Sequence, residues 1–284
     1  MTSRKPWAIL ASALLALTAA CTAPGSTPAG PSGGGATSGG ATGTITIGIK
    51  FDQPGLGLKE GNAYKGFDVD VATYIAEKLG TPADEIEWVQ APSAQRETLL
   101  ETGQVDMIVA TYSITDSRKE KVGFAGPYFI AGQDLLVRQD DDSITGPESL
   151  DGKRLCSVTG STSAQNVKKE VPGVNLQEFG TYSECVSALV SNAVDALTTD
   201  DTILAGYASQ DQYQGKLKVV GAPFSEELYG VGIQKGDVAK CEQINEAIRE
   251  MISDGSWETA VQDNLGAAGF TPGAGNPPNP GPCA

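Results

Sequence analysis

The hydrophobic pattern of the chain alternates between short apolar runs, which are typical of β-strands, and a period near 3.6, which is typical of amphipathic helices. In the first half it predicts strands at residues 44–50, 85–90 and 105–111, with helices at 67–79 and 93–102 between them. Residues 51–66 have neither pattern and are expected to form a long irregular loop. A β-α-β-α-β order favours a parallel, doubly wound α/β sheet.

The pattern restarts near residue 134, where the segment DLLVR follows a PYF run without a helix. A second group of elements is predicted as strand 154–158, helix 163–171, strand 175–179, helix 182–192 and strand 196–199. It is followed by helix 202–209, strands 217–220 and 228–234, helices 238–254 and 257–265, and a Gly/Pro-rich tail. We therefore expect a second, smaller α/β unit rather than one continuous sheet.

Several charged or polar residues lie at the starts of predicted helices. Asp68 and Asp70 lie in the first turn of helix 67–79, where carboxylates favour the helix dipole, and we expect that role rather than a metal or acid pair. Ser93 is expected to cap the next helix. Arg96 follows in its first turn, where a cation opposes the dipole. Arg96 is therefore either a functional residue or a solvated arginine beside neighbouring glutamates.

The segment 105–118, VDMIVATYSITDSR, combines an apolar strand with hydroxyl groups and an arginine. Thr111 and Ser113 follow the predicted end of the strand, and Arg118 lies in the first turn of a helix that begins after Thr115. Ligands of open α/β sheets bind at the carboxyl ends of strands. A guanidinium beside free N–H groups binds carboxylate or phosphate. The alternative is a surface arginine after a core strand.

The composition excludes several classes of function. The chain has 284 residues, a net charge of −15 and no histidine. An acidic chain without a basic stripe is a poor partner for nucleic acid. The lack of histidine excludes Ser-His-Asp and Cys-His catalysis and argues against zinc. A G-x-x-x-x-G-K-[ST] phosphate-binding motif is also absent. We expect neither a metal nor a cofactor.

The N-terminal segment predicts export. Residues 1–20 have the pattern of a signal peptide, with two basic residues before an apolar core that is too short to span a membrane. The sequence Thr18-Ala-Ala-Cys21 resembles a lipoprotein cleavage box, in which Cys21 becomes a lipidated N-terminus. The alternative is an ordinary secretory signal. Residues 21–43 would then hold the lipidated cysteine and a flexible linker of Gly, Ser, Thr, Pro and Ala.

Four further cysteines predict disulfides, because their number is even and the chain is expected to be exported. Cys156 lies in the strand-like run RLCSV, and Cys185 lies in the helix-like run TYSECVSALVSN. Cys241 and Cys283 lie near the C-terminus. From the residues alone, all three pairings of four cysteines stay open.

Three stretches together carry a family resemblance. They are YKGFDVDVATYIAEKLG, ATYSITDSRKEKVGFAGPY and LTTDDTILAGY. In this order and spacing they resemble the solute-binding proteins of amino-acid ABC importers, family 3, over roughly residues 44–266. The resemblance is greatest to the acidic-amino-acid branch, and within it to glutamate-binding lipoproteins of high-GC Gram-positive bacteria.

The resemblance implies a type II periplasmic-binding-protein-like fold, in which two doubly wound α/β lobes are joined by a two-segment hinge. Lobe one would comprise residues 44–133 and 224–267, lobe two residues 134–223, and the tail residues 268–284. The ligand is then expected in the cleft between the lobes.

The resemblance also bears on the cysteines. The matching branch has a cysteine pair at the positions of Cys156 and Cys185, which implies a disulfide there. Cys241 and Cys283 would then join the tail to the last part of lobe one.

The family motif implies that Arg118 holds the carboxylate of a free amino acid, with the hydroxyl groups of Thr111 and Ser113 beside it. In lobe two, Ser161 and Thr162 match the donor positions of the family. They lie in a GSTS segment that opens a helix, which is a backbone cradle for an anion.

The ammonium group of the ligand is assigned by the same resemblance to Asp200, the first aspartate after the strand ALTTD. Asp201 is expected to cap the helix that begins at Thr202. The alternative is that both aspartates are caps or surface groups.

Selectivity depends on further cations in the cleft. Arg96, accompanied by Ser93, matches the arginine of family members that bind acidic amino acids, and Lys50 is a second candidate. Gln53 and Pro54 stand where many relatives have an aromatic residue, which argues against an apolar ligand.

These resemblances imply a lipid-anchored monomer at the outer face of the cytoplasmic membrane. It would capture glutamate, aspartate or a related amino acid and deliver it to an ABC-transporter permease, without being an enzyme. A sensor that reports to a membrane signalling protein is one alternative. An enzyme on the same fold, such as a dehydratase or a transglycosylase, is another.

Overall fold

The computed structural model describes residues 43–283. The predicted signal peptide, the lipidation site at Cys21 and the predicted linker up to residue 42 lie outside the described residues, as does Ala284. Among residues 43–283, no helix combines the length and the apolarity that crossing a membrane requires.

The strands and helices of the described chain fall into three consecutive parts. The first contains β1 (Ile45–Ile49), β2 (Asp52–Gln53), β3 (Gly57–Glu60), β4 (Ala63–Lys65), α1 (Phe67–Lys78), β5 (Ile86–Gln90), α2 (Arg96–Glu101), β6 (Met107–Ile108), α3 (Asp116–Lys119) and β7 (Gly123–Ala131). The second contains β8 (Gln133–Arg138), β9 (Arg154–Val158), α4 (Thr162–Glu170), β10 (Asn175–Phe179), α5 (Tyr182–Val190), β11 (Ala196–Asp200), α6 (Asp201–Ala208) and β12 (Leu217–Val219). The third contains β13 (Glu227–Ile233), α7 (Val238–Ser253) and α8 (Ser256–Leu265).

Two five-stranded sheets organise these elements. The first has the order β5-β1-β6-β13-β7 and the second the order β10-β9-β11-β8-β12. In the first sheet β1 is parallel to β5 and β6, whereas β13 is antiparallel to β6 and β7. In the second sheet β9 is parallel to β10 and β11, whereas β8 is antiparallel to β11 and β12. Each sheet thus has a parallel half, as the sequence predicts, and an antiparallel half.

The chain passes twice between the sheets, once between Ala131 and Gln133 and once between Val219 and Glu227. We call the first and third parts lobe one and the second part lobe two. Two α/β lobes joined by two chain segments confirm the predicted type II fold class. The lobe limits at residues 133/134 and 223/224 stay predictions.

The prediction of an irregular loop over residues 51–66 is wrong. Those residues contain β2, β3 and β4, which form a small antiparallel sheet. Strands of two to four residues are too short to produce a visible hydrophobic period.

Strand β7 is missing from the sequence prediction because Gly126 and Pro127 lie within it. Proline has no N–H to donate and is confined to edge strands and bulges. Strand β7 lies at the edge of the first sheet, and its pairing with β13 shifts between Tyr229 and Val231.

Strand β6 is shorter than predicted and ends at Ile108, although it is central in its sheet. Thr111 has a φ of 46°, in the left-handed region that only a few non-glycine residues adopt. This conformation turns the chain away from the strand before the hydroxyl-rich segment.

Both disulfides that the resemblance implied are present. One joins Cys156 in β9 to Cys185 in α5, and the other joins Cys241 in α7 to Cys283 in the tail. The tail also contacts the edge strand β7, because the Asn276 side chain pairs with both the N–H and the carbonyl of Ile130. An edge strand that is covered in this way is protected from pairing with other chains.

Candidate functional site

Arg118 lies in the first turn of the short helix α3, as predicted. Thr115 caps this helix, since its hydroxyl accepts a hydrogen bond from the Arg118 N–H at 3.3 Å. The guanidinium is 5% exposed. It donates to the Ser113 carbonyl at 2.7 Å and to the Gly160 carbonyl of lobe two at 3.2 Å, and its Nε lies 3.3 Å from Glu97 Oε1. Arg118 is therefore a buried cation at the boundary between the lobes, and not a surface arginine.

A second guanidinium, that of Arg96, shares one aromatic ring with Arg118. The Cζ atoms of Arg96 and Arg118 lie 4.2 and 4.9 Å from the centre of the Tyr112 ring. The Tyr112 hydroxyl donates to Glu97 Oε1 at 2.8 Å. The negative face of an aromatic ring attracts cations, so Tyr112 and Glu97 together hold two like charges near each other.

Arg96 is 2% exposed, which contradicts the alternative of a solvated arginine that pairs with its neighbours. One Nη1 hydrogen is donated to the Ala110 carbonyl at 2.8 Å, whereas the buried Nε has no hydrogen-bond partner among the described residues. Burial and the nearby Arg118 lower the pKa of Arg96 to about 10, so the guanidinium stays charged at neutral pH.

Lys50 completes a group of three buried cations in lobe one. Its Nζ donates to Ser93 Oγ at 2.8 Å, and the residue is 4% exposed. Burial, followed by the charge of Arg96, lowers the pKa of Lys50 to about 7. Ser93 does not cap α2, because that helix begins at Arg96 and Gln95 occupies the N-cap position. The Ser93 hydroxyl instead accepts the hydrogen bond from Lys50.

Asp68 is a residue whose role the sequence did not reveal. It lies in the first turn of α1, as predicted, but it is fully buried, so interaction with the helix dipole is not its main role. Its carboxylate accepts hydrogen bonds from the Thr111 N–H at 2.9 Å and from the Tyr128 hydroxyl at 2.7 Å. Burial raises the pKa of Asp68 to about 6. Asp68 thus holds Thr111 in its unusual backbone conformation. The apolar residues Phe67 and Val69 beside it were the available signal that this turn is buried.

The lobe-two side of the site is built from hydroxyl groups at the start of α4. Ser161 caps this helix, because its Oγ accepts from the Ala164 N–H at 3.0 Å. Thr162 Oγ1 lies 3.3 Å from Ser113 Oγ across the cleft. Gly160 has a φ of 79°, and a Cβ there would lie 2.7 Å from the Ala94 Cα of lobe one. The two lobes therefore touch around Arg118.

Asp200 lies at the end of β11 and is 3% exposed. Its Oδ2 accepts from the Tyr229 hydroxyl at 2.6 Å. Within residues 43–283, Asp200 Oδ1 has no hydrogen-bond partner, and neither has the buried Oγ1 of Thr199. Burial and the nearby Glu227 raise the pKa of Asp200 well above its usual value. Asp200 is at the N-cap position of α6 but makes no capping hydrogen bond, so neither a cap nor a surface group describes it.

Asp201 does not cap a helix that begins at Thr202, because α6 begins at Asp201 itself. Its Oδ1 accepts from the Thr202 N–H at 2.7 Å and from the Gly132 N–H at 3.3 Å. Burial raises the pKa of Asp201 to about 6. Asp201 therefore holds the connecting segment at Gly132, whereas the Asp200 carboxylate accepts from Tyr229.

The predicted site residues thus face one another across the two lobes. Lobe one supplies the three cations and three of the hydroxyl groups, and lobe two supplies two hydroxyl groups and the Asp200 carboxylate. The model of the bacterial extracellular solute-binding proteins, family 3, matches residues 45–267. The chain belongs to this family.

Individual relatives share most of the chain. Glutamate-binding protein GluB of Corynebacterium efficiens is 53% identical over 235 residues, which cover 79% of each chain. The glutamine-binding protein GlnH of the ABC transporter in Bacillus subtilis is 37% identical over 217 residues, covering 75% of this chain and 78% of that protein. A solved structure of an ancestral arginine-binding protein bound to glutamine has a TM-score of 0.73 and 37% identity, covering 79% of this chain and 98% of that one.

Proposed function

We propose that this protein captures an acidic amino acid, glutamate before others, outside the cytoplasmic membrane and delivers it to an ABC importer. The observation that carries the proposal is the buried Oδ1 of Asp200. Among the described residues it lacks a hydrogen-bond partner, and the cations lie on the other lobe. A buried carboxylate oxygen that accepts no hydrogen bond is costly, so this atom is suited to the ammonium group of a ligand.

The α-carboxylate is assigned to Arg118. A guanidinium has five N–H groups. Counted over residues 43–283, the contacts to Glu97, Ser113 and Gly160 leave one N–H on each terminal nitrogen. One N–H on each terminal nitrogen is enough for a bidentate pair with the two oxygens of a carboxylate. Thr111, Ser113, Ser161 and Thr162 supply the surrounding hydroxyl groups.

The distal carboxylate is assigned to Arg96, with Ser93 and Lys50 beside it. Arg96 is 2% exposed, and its Nε has no hydrogen-bond partner among the described residues. A distal carboxylate on the ligand would give this buried N–H a charged acceptor, whereas the amide of glutamine offers only a neutral oxygen.

The relatives support an amino-acid ligand, since their names specify glutamate and glutamine. Glutamine is therefore the second candidate, and it is favoured by the solved structure of a relative with glutamine bound. We favour glutamate because the buried Nε of Arg96, which has no partner among the described residues, suits a charged distal group better than an amide.

The rest of the proposal concerns location and partners. The signal peptide and a lipid on Cys21 would anchor a monomer to the outer face of the cytoplasmic membrane, where it meets the permease. Replacing Cys21 by alanine should release the protein into the medium of a Gram-positive host. Unchanged membrane association would exclude a Cys21 lipid anchor.

Calorimetric titration of the purified protein with the common amino acids tests the ligand. We expect glutamate to bind most tightly, with an affinity about tenfold or more above that of glutamine, which corresponds to about 1.4 kcal/mol. Equal or tighter binding of glutamine would overturn the acidic assignment. Absence of binding by any amino acid would overturn the function.

A further inference from the structure

Asp52 connects the two lobes at a point outside the group of residues assigned to the ligand. It lies in β2 of lobe one, two residues after Lys50. Its Oδ2 accepts hydrogen bonds from the N–H groups of Tyr182 and Ser183 in lobe two, at 3.0 and 3.3 Å. The Tyr207 hydroxyl, on α6, donates to the Asp52 carbonyl and lies 3.2 Å from Oδ2.

The two N–H groups are the first of α5, a helix of nine residues. The first N–H groups of a helix have no acceptor within the helix. Thr181 satisfies one of them, since its Oγ1 accepts from the Glu184 N–H at 3.3 Å. Asp52 satisfies the two before it, and a carboxylate at this end also interacts favourably with the helix dipole. The start of α5 is thus capped partly by its own lobe and partly by the other.

The helix that Asp52 contacts is fixed to its own lobe. Cys185, three residues after Tyr182, forms the disulfide with Cys156 in β9 of the second sheet. A force that acts on the start of α5 is therefore transmitted to the sheet of lobe two, and the contact with Asp52 holds the lobe rather than one mobile turn.

The backbone beside Asp52 also fits lobe two closely. A Cβ atom on Gly206 of α6 would lie 2.1 Å from the Pro54 carbonyl oxygen, a separation that no side chain tolerates. Residues 52–54 therefore approach α6 as closely as a glycine allows. Gln53, which follows Asp52 in the chain, donates to Thr111 Oγ1 at 3.3 Å. The segment 52–54 therefore contacts a residue that is assigned to the ligand site.

We propose that Asp52 is a positioning residue that keeps the cleft closed around the ligand and slows its release. The carboxylate contacts Tyr182, Ser183 and Tyr207, none of which is assigned to the ligand. It acts by holding the start of α5 against residues 52–54, next to Lys50. The proposal rests on the proposed function only in requiring that some amino acid binds in the cleft.

The test compares rates for Asp52→Ala with those for Asp84→Ala, which removes an exposed carboxylate elsewhere in lobe one. The ligand is whichever amino acid binds the unaltered protein most tightly, so an incorrect ligand assignment does not affect the result. We expect the dissociation rate constant of Asp52→Ala to rise about tenfold or more, as for loss of hydrogen bonds to a charged group. The association rate constant should change less than twofold.

Tyr207→Phe removes one donor to Asp52 and should raise the dissociation rate a few-fold, with an unchanged melting temperature. This variant, together with Asp52→Asn, provides the measurement if Asp52→Ala does not fold. A dissociation rate equal to that of Asp84→Ala in a folded Asp52 variant would overturn the proposal. So would a loss of affinity that resides in the association rate alone, because Asp52 would then shape the open cleft.

Discussion

The two faces of the cleft differ in the sign of their charges and in how those charges are paired. The lobe-one face carries Lys50, Arg96 and Arg118, and each of them donates a hydrogen bond to a hydroxyl or carbonyl oxygen within the protein. Among the described residues, the Nε of Arg96 is the one buried nitrogen of these side chains without a partner. The lobe-two face carries Asp200 and Thr199, and each has a buried oxygen without a partner among the described residues.

This difference indicates how a zwitterion is recognised. Lobe one is a prepared cationic surface, because contacts with Tyr112 and Glu97 hold its guanidinium groups in place. In the proposed function, the ammonium group of the ligand donates to Asp200 Oδ1 and completes lobe two. On that proposal, a ligand with an ammonium group and two carboxylates would bridge the two faces, so that the burial of each charge is compensated on closure.

Removing the cation of Arg118 should have the largest effect. We expect Arg118→Ala to lose about 2–5 kcal/mol of binding free energy for every amino acid, because a desolvated carboxylate loses its two-pronged partner. Titration calorimetry measures the loss, and the melting temperature checks the fold. Arg118→Lys is the matched control and should recover only part of the affinity, since an ammonium has no planar fork. Unchanged affinity of Arg118→Ala would remove this residue from the site.

Neutralising the Asp200 carboxylate of lobe two should cause the second-largest loss of ligand affinity. Asp200→Asn should weaken glutamate and glutamine equally, by about 1.5–3 kcal/mol, because both present the same ammonium group. Glutarate, which is glutamate without its amine, provides the control and should bind both proteins with similar affinity. A loss that is larger for glutamate than for glutamine would place Asp200 elsewhere than at the ammonium group.

A smaller, selective effect is expected on the lobe-one face. Arg96→Ala should weaken glutamate more than glutamine by at least about 1.5 kcal/mol, since only glutamate has a distal carboxylate. The lost bond to Ala110 affects both ligands and cancels in the comparison. Lys50→Ala should show the same sign with a smaller size. Equal losses for the two ligands would indicate that Arg96 shapes the cleft, and glutamate would lose its main support.

The smallest effect concerns pH. Burial lowers the pKa of Lys50 to about 7, so the free protein loses this charge as the pH rises above that value. A ligand carboxylate favours the charged form, and glutamate affinity should therefore fall above pH 7, in total by no more than Lys50→Ala lowers it. Glutamine should change less, and the contribution of Asp200 cancels between the ligands.

The matched control for the pH effect is Lys50→Arg, which keeps the charge at every accessible pH. Its ratio of glutamate to glutamine affinity should be constant between pH 7 and 9. A ratio that varies with pH in this variant as in the unaltered protein would assign the titration to another group.

Sequence patterns predicted lobe two better than lobe one for a physical reason. The strands at 154–158 and 175–179 are parallel neighbours with a helix between them, so local hydrophobic periodicity defines them, and the structure confirms both. Strands β2 to β4 and β7 depend on antiparallel partners and on an edge position. The hydrophobic pattern of a short or proline-containing segment does not reveal which strand it pairs with.

The residues of the candidate site also differ in whether local sequence reveals their role. Residues within a motif, such as Arg118 in the ITDSR segment, could be assigned from local order and from the resemblance. The roles of Asp68 and Asp52 could not, because the partner of Asp68 lies 43 residues away at Thr111, and those of Asp52 lie 130 and 155 residues away at Tyr182 and Tyr207. A carboxylate early in a helix or loop looks the same in sequence whether it is solvated or buried.

A crystal structure of the complex with glutamate tests the central claim most directly. We predict that the α-carboxylate lies within hydrogen-bonding distance of both terminal nitrogens of Arg118, and the ammonium group on Asp200 Oδ1. The distal carboxylate should lie beside Arg96 and Lys50. A complex in which the distal carboxylate faces solvent, or in which the ammonium group lies away from Asp200, would contradict the account.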